Sequence, residues 1–471
     1  MKSIKITSLV AILAVTAFGL SHLTACSSAS VKEAHLAAHS EKILKNGLHI
    51  LTVENHSLPY VSVGLLVRSG SADDPLTKSG LSSLTASLLE RGSKAHSAAE
   101  IADQFAQLGT DFSSRSGEDY LYFSSAALSK DQDELLNLFF EVLTQPAFSS
   151  QEVDRRRSEV AAEIKRSYDQ PSWVASRVFS QFLYGPHPYS RSSDGSLRDV
   201  QTIRQADIVK YYLKTFRPNN ADLVLVGDLR PGLLESLEKQ LNEWQPHELE
   251  AVNYPPLVPL KGQQILLVDR EDLKQSEVRL GHYGLKRKND DYQAVILADV
   301  ILSDGFNSRL MREIRVKRGL TYGIHTSFDA LKDIGPFTVS SNTRHEKVGE
   351  LVDQTIKVLT QFHDQGVTDA EVEEAKGYLR GTFPTRIETA DELAGLLVAL
   401  KFYGINESYL ENYVTTLNKL TTADVNTVIK KYFHPDNMRV LVYGPKSQVL
   451  DQLRPLGAVE VKPYKELISG L

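Results

Sequence analysis

The sequence predicts an α+β fold: two tandem homologous α/β-sandwich domains, each an antiparallel-type sheet with helices against it. Three observations lead there. Strand-like and helix-like runs follow one another without a regular βαβ alternation. A long passage also repeats. Ile203-Arg-Gln-Ala-Asp207, continuing through Phe216-Arg-Pro-Asn-Asn220 to Val224-Leu-Val-Gly227, returns as Leu420-Thr-Thr-Ala-Asp424, Phe433-His-Pro-Asp-Asn437 and Val440-Leu-Val-Tyr-Gly444, offset by 217 residues without a gap. Between the copies lies a proline-rich stretch, Asn253-Tyr-Pro-Pro-Leu-Val-Pro259, which reads as a linker. The period is too long for a solenoid, so it marks a pair of domains.

The first 25 residues read as a targeting segment. Lys2 and Lys5 precede an apolar run from Leu9 to Leu20, too short for a stable membrane span and charged at its start like a secretory signal. Leu23-Thr-Ala-Cys26 is similar to a bacterial lipobox, which implies that Cys26 is acylated and becomes the mature N-terminus. Serine at 27, rather than aspartate, implies sorting to an outer membrane. An ordinary signal peptide with an incidental cysteine is the alternative. Cys26 is the only cysteine, so no intrachain disulfide forms. Residues 26–40 read as a tether. They include His35-Leu-Ala-Ala-His39, which has metal-ligand spacing but no carboxylate at the expected place.

Residues 41–248 are expected to form the first domain, 249–262 the linker and 263–471 the second domain. Leu48–Val53 and Val61–Val67 are rich in valine and leucine and read as strands. Gly70 and Asp73-Asp-Pro75 break the pattern, and a helix follows from about Ser79 to Arg91, stopped by Gly92. Ser150-Gln-Glu-Val153 and Asp369-Ala-Glu-Val372 each open a helix in corresponding places. In the long repeat, Asp207 and Asp424 are expected to cap helices that a proline ends, before an apolar strand runs into glycine.

One basic stretch, Ser303–Tyr322, carries a second set of signals. Phe306, Leu310 and Ile314 recur at i+4 and predict one helix face, with Ser303 or Asp304 as its cap and Gly319 as its stop. Leu320–Phe328 then reads as a strand. Arg315 in the last helical turn and Tyr322 at the start of the strand sit on a corner that aims both at one point. The alternative is that Arg315, Lys317 and Arg318 merely complement the helix C-terminal dipole. The chain has 471 residues, 24% of them charged, and a net charge of −6, which argues against non-specific nucleic-acid binding and suits a globular protein of two or more domains.

The paired halves, Gly80-Leu81 opening a helix that ends at Gly92-Ser93, the Pro218-Asn-Asn…Val-Gly-Asp228 close of the first half, and Arg315…Gly319-Leu-Thr-Tyr322 resemble the pitrilysin/insulinase family of zinc peptidases, processing-peptidase type, over residues 40–450. The resemblance implies clam-like halves. Active members carry His-x-x-Glu-His on the first long helix, two histidines for zinc and a glutamate as general base. Here those positions hold Ser83, Ser87 and Ala86. Serine is a poor zinc ligand and alanine moves no proton. Glu163 matches the family's third ligand, but Arg156 stands where a supporting glutamate is expected. Arg315 and Tyr322 match the family's substrate-binding arginine and tyrosine, seven residues apart. A guanidinium and a phenol there donate to the substrate carbonyl.

The resemblance therefore implies a non-catalytic subunit: no metal or cofactor in this chain, and zinc on a homologous partner that keeps His-x-x-Glu-His. The substrate would be peptide or unfolded protein, and the location the periplasmic face of the outer membrane. The alternative function is an envelope peptide-binding or assembly scaffold with no role in hydrolysis. A hydrolase using Ser83 or Ser87 lacks both a nucleophile elbow and an assignable base. Strands such as Val61–Val67 are expected to add peptide by β-pairing if their edge is free.

Overall fold

The computed structural model describes residues 39–250 and 252–468. The signal segment, Cys26 and His35 lie outside these residues. Twelve strands among the described residues form two six-stranded sheets. Across the first sheet the order is β1 (His39–Ile43), β2 (His49–Glu54), β6 (Ala221–Gly227), β3 (Tyr60–Val67), β5 (Leu121–Leu128) and β4 (Ser113–Ser116). Across the second it is β12 (Val459–Pro463), β7 (Gln264–Asp269), β11 (Arg439–Gly444), β8 (Ser276–Tyr283), β10 (Pro336–Thr343) and β9 (Ile324–Phe328). The fold is α+β with two homologous sandwiches.

The sheets are mixed, which refines the expected antiparallel type. The opening and closing strands of each half lie side by side and parallel, β2 with β6 and β7 with β11. The inner pairings of β3 and β8 are antiparallel. The outer strand differs between halves: β1 joins β2 antiparallel, whereas β12 arrives from the C-terminal end and joins β7 parallel. The first strand already begins at His39, inside the stretch expected as tether.

The 217-residue repeat is structural. The helix Gln205–Thr215, the short 3-10 turn Pro218–Asn220 and β6 correspond to Thr422–Tyr432, Pro435–Asn437 and β11. Asp207 and Asp424 sit at the third helical position rather than at the cap. Their carboxylates reach back to accept from the backbone N–H of Arg204 and Thr421, each at 2.8 Å. An N3 carboxylate takes the N-cap N–H, whereas a cap side chain takes that of N2 or N3, so reading these aspartates as caps places each helix start three residues late.

Alternation along the central strands shows how the halves join. On β6, Leu223 and Leu225 face one core while Val224 and Val226 face the other; on β11, Leu441 and Tyr443 oppose Val440 and Val442 in the same way. One face of each sheet is covered by its own half. The other is covered by a helix from the opposite half: Pro171–Tyr184 packs on β8 and β11, and Ala390–Phe402 on β3 and β6. Strands buried on both faces read as continuous apolar runs, as Val224–Val226 does.

The exchanged helices are pinned by polar contacts. Arg279 on β8 is 3% exposed. Its guanidinium donates to Glu277 Oε2 at 3.0 Å, Ser172 Oγ at 2.8 Å and Ser176 Oγ at 3.2 Å. At Gly281 a Cβ would collide with the Phe337 carbonyl of the neighbouring strand and meet the Phe179 ring of the exchanged helix at 2.8 Å, so glycine is required there. In the other direction Tyr60 donates to Asp391 at 3.2 Å and Lys401 to Glu41 at 2.5 Å.

Removing Arg279 strands the buried Glu277 carboxylate. Arg279→Met is expected to cost about 3–5 kcal/mol in urea unfolding, and adding Glu277→Gln to recover part of the loss. Equal stability of the single and double variants would contradict this account of the pair.

Candidate functional site

The helix Leu81–Leu88 begins at Gly80, whose φ of +91° suits glycine. The Asp74 carboxylate accepts from the N–H groups of Gly80 at 2.8 Å and Ser82 at 2.9 Å, closing the helix start. Burial pushes this carboxyl up to about 7, against the pull of those two donors. Leu81, Leu84 and Leu88 face the core, so Ser83 and Ser87 are left half-buried on the outer side, and Ala86 is buried.

The helix Ser150–Ser167 lies alongside and carries Arg156 and Glu163. Arg156 spans the gap. Its Nε donates to Ser87 Oγ at 3.2 Å, and another guanidinium nitrogen donates to Glu163 at 3.1 Å and to Glu159 at 3.3 Å. Ser87 in turn donates to the Leu84 carbonyl at 3.0 Å, not to a base. The positions that resemble a metal site therefore present two hydroxyls, a methyl group and one carboxylate already paired with a guanidinium. This donor set does not fit zinc, which would have to sit against a fixed positive charge. Among the described residues no three His, Cys, Asp or Glu side chains converge on a metal-sized site. His39 lies on β1, 3.7 Å from Glu407.

The second cluster is built differently from the simple helix expected for Ser303–Tyr322. The preceding helix, Tyr292–Ser303, ends at Ser303 instead of starting there, and Gly305 turns the chain with φ +77°. Met311–Lys317 winds as a π-helix. Leu310 and Ile314 are buried as the spacing predicts, but Phe306 is 66% exposed because the turn at Gly305 swings it off that face. The Arg315 guanidinium lies over its ring at 4.7 Å. The strand β9 starts at Ile324, later than expected, because Thr321 closes a local turn on Gly323.

Arg315 and Tyr322 are brought together. Both line a cavity of about 470 Å³ with Gln275, Leu320, Asn342 and Arg344. Tyr322 is 86% exposed. Of the neighbouring cations, Lys317 and Arg318 pair with Glu313 and Arg309 pairs with Glu371 through two bonds of 2.7 and 2.8 Å, whereas Arg312 has no ion pair among the described residues and lines a different cavity. Arg315 pairs with no carboxylate among the described residues. Ser83, Ser87 and Glu163 do not line this cavity. Strand β3, expected as a site of peptide pairing, is interior, flanked by β5 and β6, and has no free edge; the outer strands are β1, β4, β9 and β12. No sequence pattern points to Gln275, Asn342 or Arg344, which come from the ends of strands far apart in the chain.

Two interlocked sandwiches, one with a metal-type helix emptied of ligands and the other with an arginine–tyrosine corner, define a two-domain scaffold of the metallopeptidase kind. The family model described as Insulinase (Peptidase family M16) matches residues 49–192, and Peptidase M16 inactive domain matches residues 202–379. The chain belongs to the M16, or insulinase, family, as a member of inactive type that lacks His-x-x-Glu-His. An uncharacterized zinc protease of Mycobacterium tuberculosis is 25% identical over 88% of this chain and 95% of its own. The non-peptidase homolog YmxG of Helicobacter pylori is 23% identical over 85% and 92%. The crystal structure of a peptidase M16 inactive domain from Pseudomonas fluorescens superposes with a TM-score of 0.81 at 29% identity, covering 87% of this chain and 98% of that one.

Two outcomes follow from the geometry. Ser83→His with Ser87→His is expected to bind zinc weakly while Arg156 stays, and at least tenfold tighter once Arg156→Gln removes the opposing charge, read by competition against a metal indicator. Arg309 holds Glu371 down at about 2, below its ordinary 4.5. A depressed carboxylate stabilises the fold above its unfolded value and loses that contribution as pH falls from 4.5 through 2. Glu371→Gln is expected to cost about 2 kcal/mol at pH 7 and to flatten the acid limb of thermal melting.

Proposed function

We propose that this chain is the non-catalytic subunit of a heteromeric zinc peptidase of the bacterial envelope. It binds peptide and supplies Arg315 and Tyr322 to the zinc site of a homologous partner that keeps His-x-x-Glu-His. The observation that carries this reading is the contrast between two guanidiniums. Arg156 is neutralised where a metal site would stand, whereas Arg315 is left without a carboxylate beside an exposed phenol.

The chemistry follows from the donors. A guanidinium N–H and the Tyr322 hydroxyl donate to a peptide carbonyl oxygen, and both gain strength as negative charge grows there. Zinc bound to the partner would polarise that carbonyl and activate water. Phe306 under the guanidinium restricts its swing, so less order is lost when it binds. The non-peptidase name of the Helicobacter relative supports a chain without hydrolytic activity of its own. The lipobox-like Leu23-Thr-Ala-Cys26 supports anchoring by lipid at the outer membrane, with the folded part in the periplasm.

The test is hydrolysis of an unfolded peptide by this chain, by its partner and by the mixture. Activity is expected only with the partner present. Arg315→Ala is expected to lower the mixture's kcat/KM by about a hundredfold and Tyr322→Phe by about tenfold, with assembly intact by gel filtration. Zinc-dependent cleavage by this chain alone would refute the reading. Unchanged activity of both variants in an intact assembly would leave the scaffold reading in its place.

A further inference from the structure

The cavity beside Arg315 has a chemistry of its own. Its polar lining consists of Gln275, Arg315, Thr321, Tyr322, Asn342, Thr343 and Arg344, with no carboxylate among them. Two of these are already used: Thr343 donates to the Leu320 carbonyl at 2.6 Å, and Thr321 closes the turn on Gly323. Among the described residues the side-chain donors of Gln275, Arg315, Tyr322 and Asn342 have no hydrogen-bond acceptor, and Arg344 has one exposed partner. Asn342 lies opposite Glu277 in the register, and Gln275 and Arg344 flank the adjoining ends of β8 and β10, so the three reach one cavity. Glu277, the neighbouring carboxylate, is held by Arg279 at 3.0 Å. Arg344 touches Glu346 at 3.3 Å, with both side chains more than half exposed, a pair too weakly held to block a ligand.

We propose that Arg344, Asn342 and Gln275 form a carboxylate subsite that takes an acidic group of a bound peptide while Arg315 and Tyr322 hold a neighbouring carbonyl. The carboxylate comes from an aspartate or glutamate side chain or from the peptide's C-terminus. Arg315, two amides without an acceptor among the described residues and Arg344, whose one ion pair is exposed, make a fork for a carboxylate, and a cavity of about 470 Å³ holds one or two residues. The inference rests on the reading of Arg315 and Tyr322 as peptide-binding, and it adds selectivity for acidic peptides that this pair alone does not supply.

Fluorescence anisotropy with the purified chain tests it. Three labelled unstructured decapeptides serve as probes: one with a single glutamate and an amidated end, its glutamine counterpart, and the glutamine peptide with a free C-terminal carboxylate. The glutamate peptide, the free-ended peptide or both are expected to bind about tenfold tighter than the neutral one, and which of them does names the source of the carboxylate. Arg344→Gln is expected to erase that preference while leaving neutral-peptide binding and thermal melting unchanged, and Arg344→Lys to keep part of it. Equal binding of all three probes, or a preference that survives Arg344→Gln, would overturn the proposal. Should Arg315→Ala leave the partner's hydrolysis unchanged while the Arg344-dependent preference persists, the subsite stands and the role given to Arg315 falls.

Discussion

The exchange of helices between the halves is the constraint on which the rest depends. Neither sheet can bury both faces with its own helices. Val224 and Val226 on the first sheet, and Leu441 and Tyr443 on the second, belong to cores that the opposite half completes. A half separated from the other would expose these strands to water, at about 25 cal/mol for every Å² of apolar surface. The halves therefore hold each other in place, and the Arg279 cluster under Pro171–Tyr184 fixes the angle between them. The outer strands are left free of this demand. β1 and β12 reach equivalent edges from opposite ends of the chain, and in opposite pairing senses, without disturbing the interior.

Much of this was legible in the sequence, for physical reasons. Strands buried on two faces favour apolar residues at most positions, so β2, β3, β6 and β11 are legible as valine- and leucine-rich runs. The repeat stood out because a helix, a proline turn and a central strand have to keep their spacing if they are to pack the same way twice. Helix ends marked by Gly80 and Gly92 were legible because positive φ favours glycine. What stayed hidden is long-range. Nothing in Pro171–Tyr184 or Ala390–Phe402 says which sheet each will cover. Val61–Val67 looks like an edge or a centre equally well, and only its pairing with β5 and β6 decides.

The Ser303–Tyr322 segment shows the same limit at close range. Periodicity found Leu310 and Ile314, since burial enforces it. It misplaced Phe306 because the turn at Gly305 breaks the helical frame, and it missed the wider π winding of Met311–Lys317. That winding has a consequence at the corner. The Leu320 N–H reaches back to the Ile314 carbonyl at 3.1 Å, so the chain leaves the helix in a wide loop. The loop lets Tyr322 stand away from the body while Arg315, one turn earlier, rests on Phe306. π turns are costly relative to α-helix and are frequent at functional sites.

Arg156 and Arg315 show how one side-chain type serves opposite ends. An arginine keeps its charge under all physiological conditions, so the protein sets its availability through its neighbours. Around Arg156 there are two glutamates and a serine within hydrogen-bonding distance. A ligand arriving there meets a neutralised network and gains little. Around Arg315 an aromatic face restrains the guanidinium, and no carboxylate among the described residues pairs with it. Its N–H groups are left without a carboxylate partner, so a peptide oxygen there would gain a charge-assisted bond. Losing a metal site would require no more than the first arrangement. Keeping a cation oriented and uncommitted on the opposite half, next to an exposed phenol, gains the fold nothing by itself and makes sense when another molecule completes it.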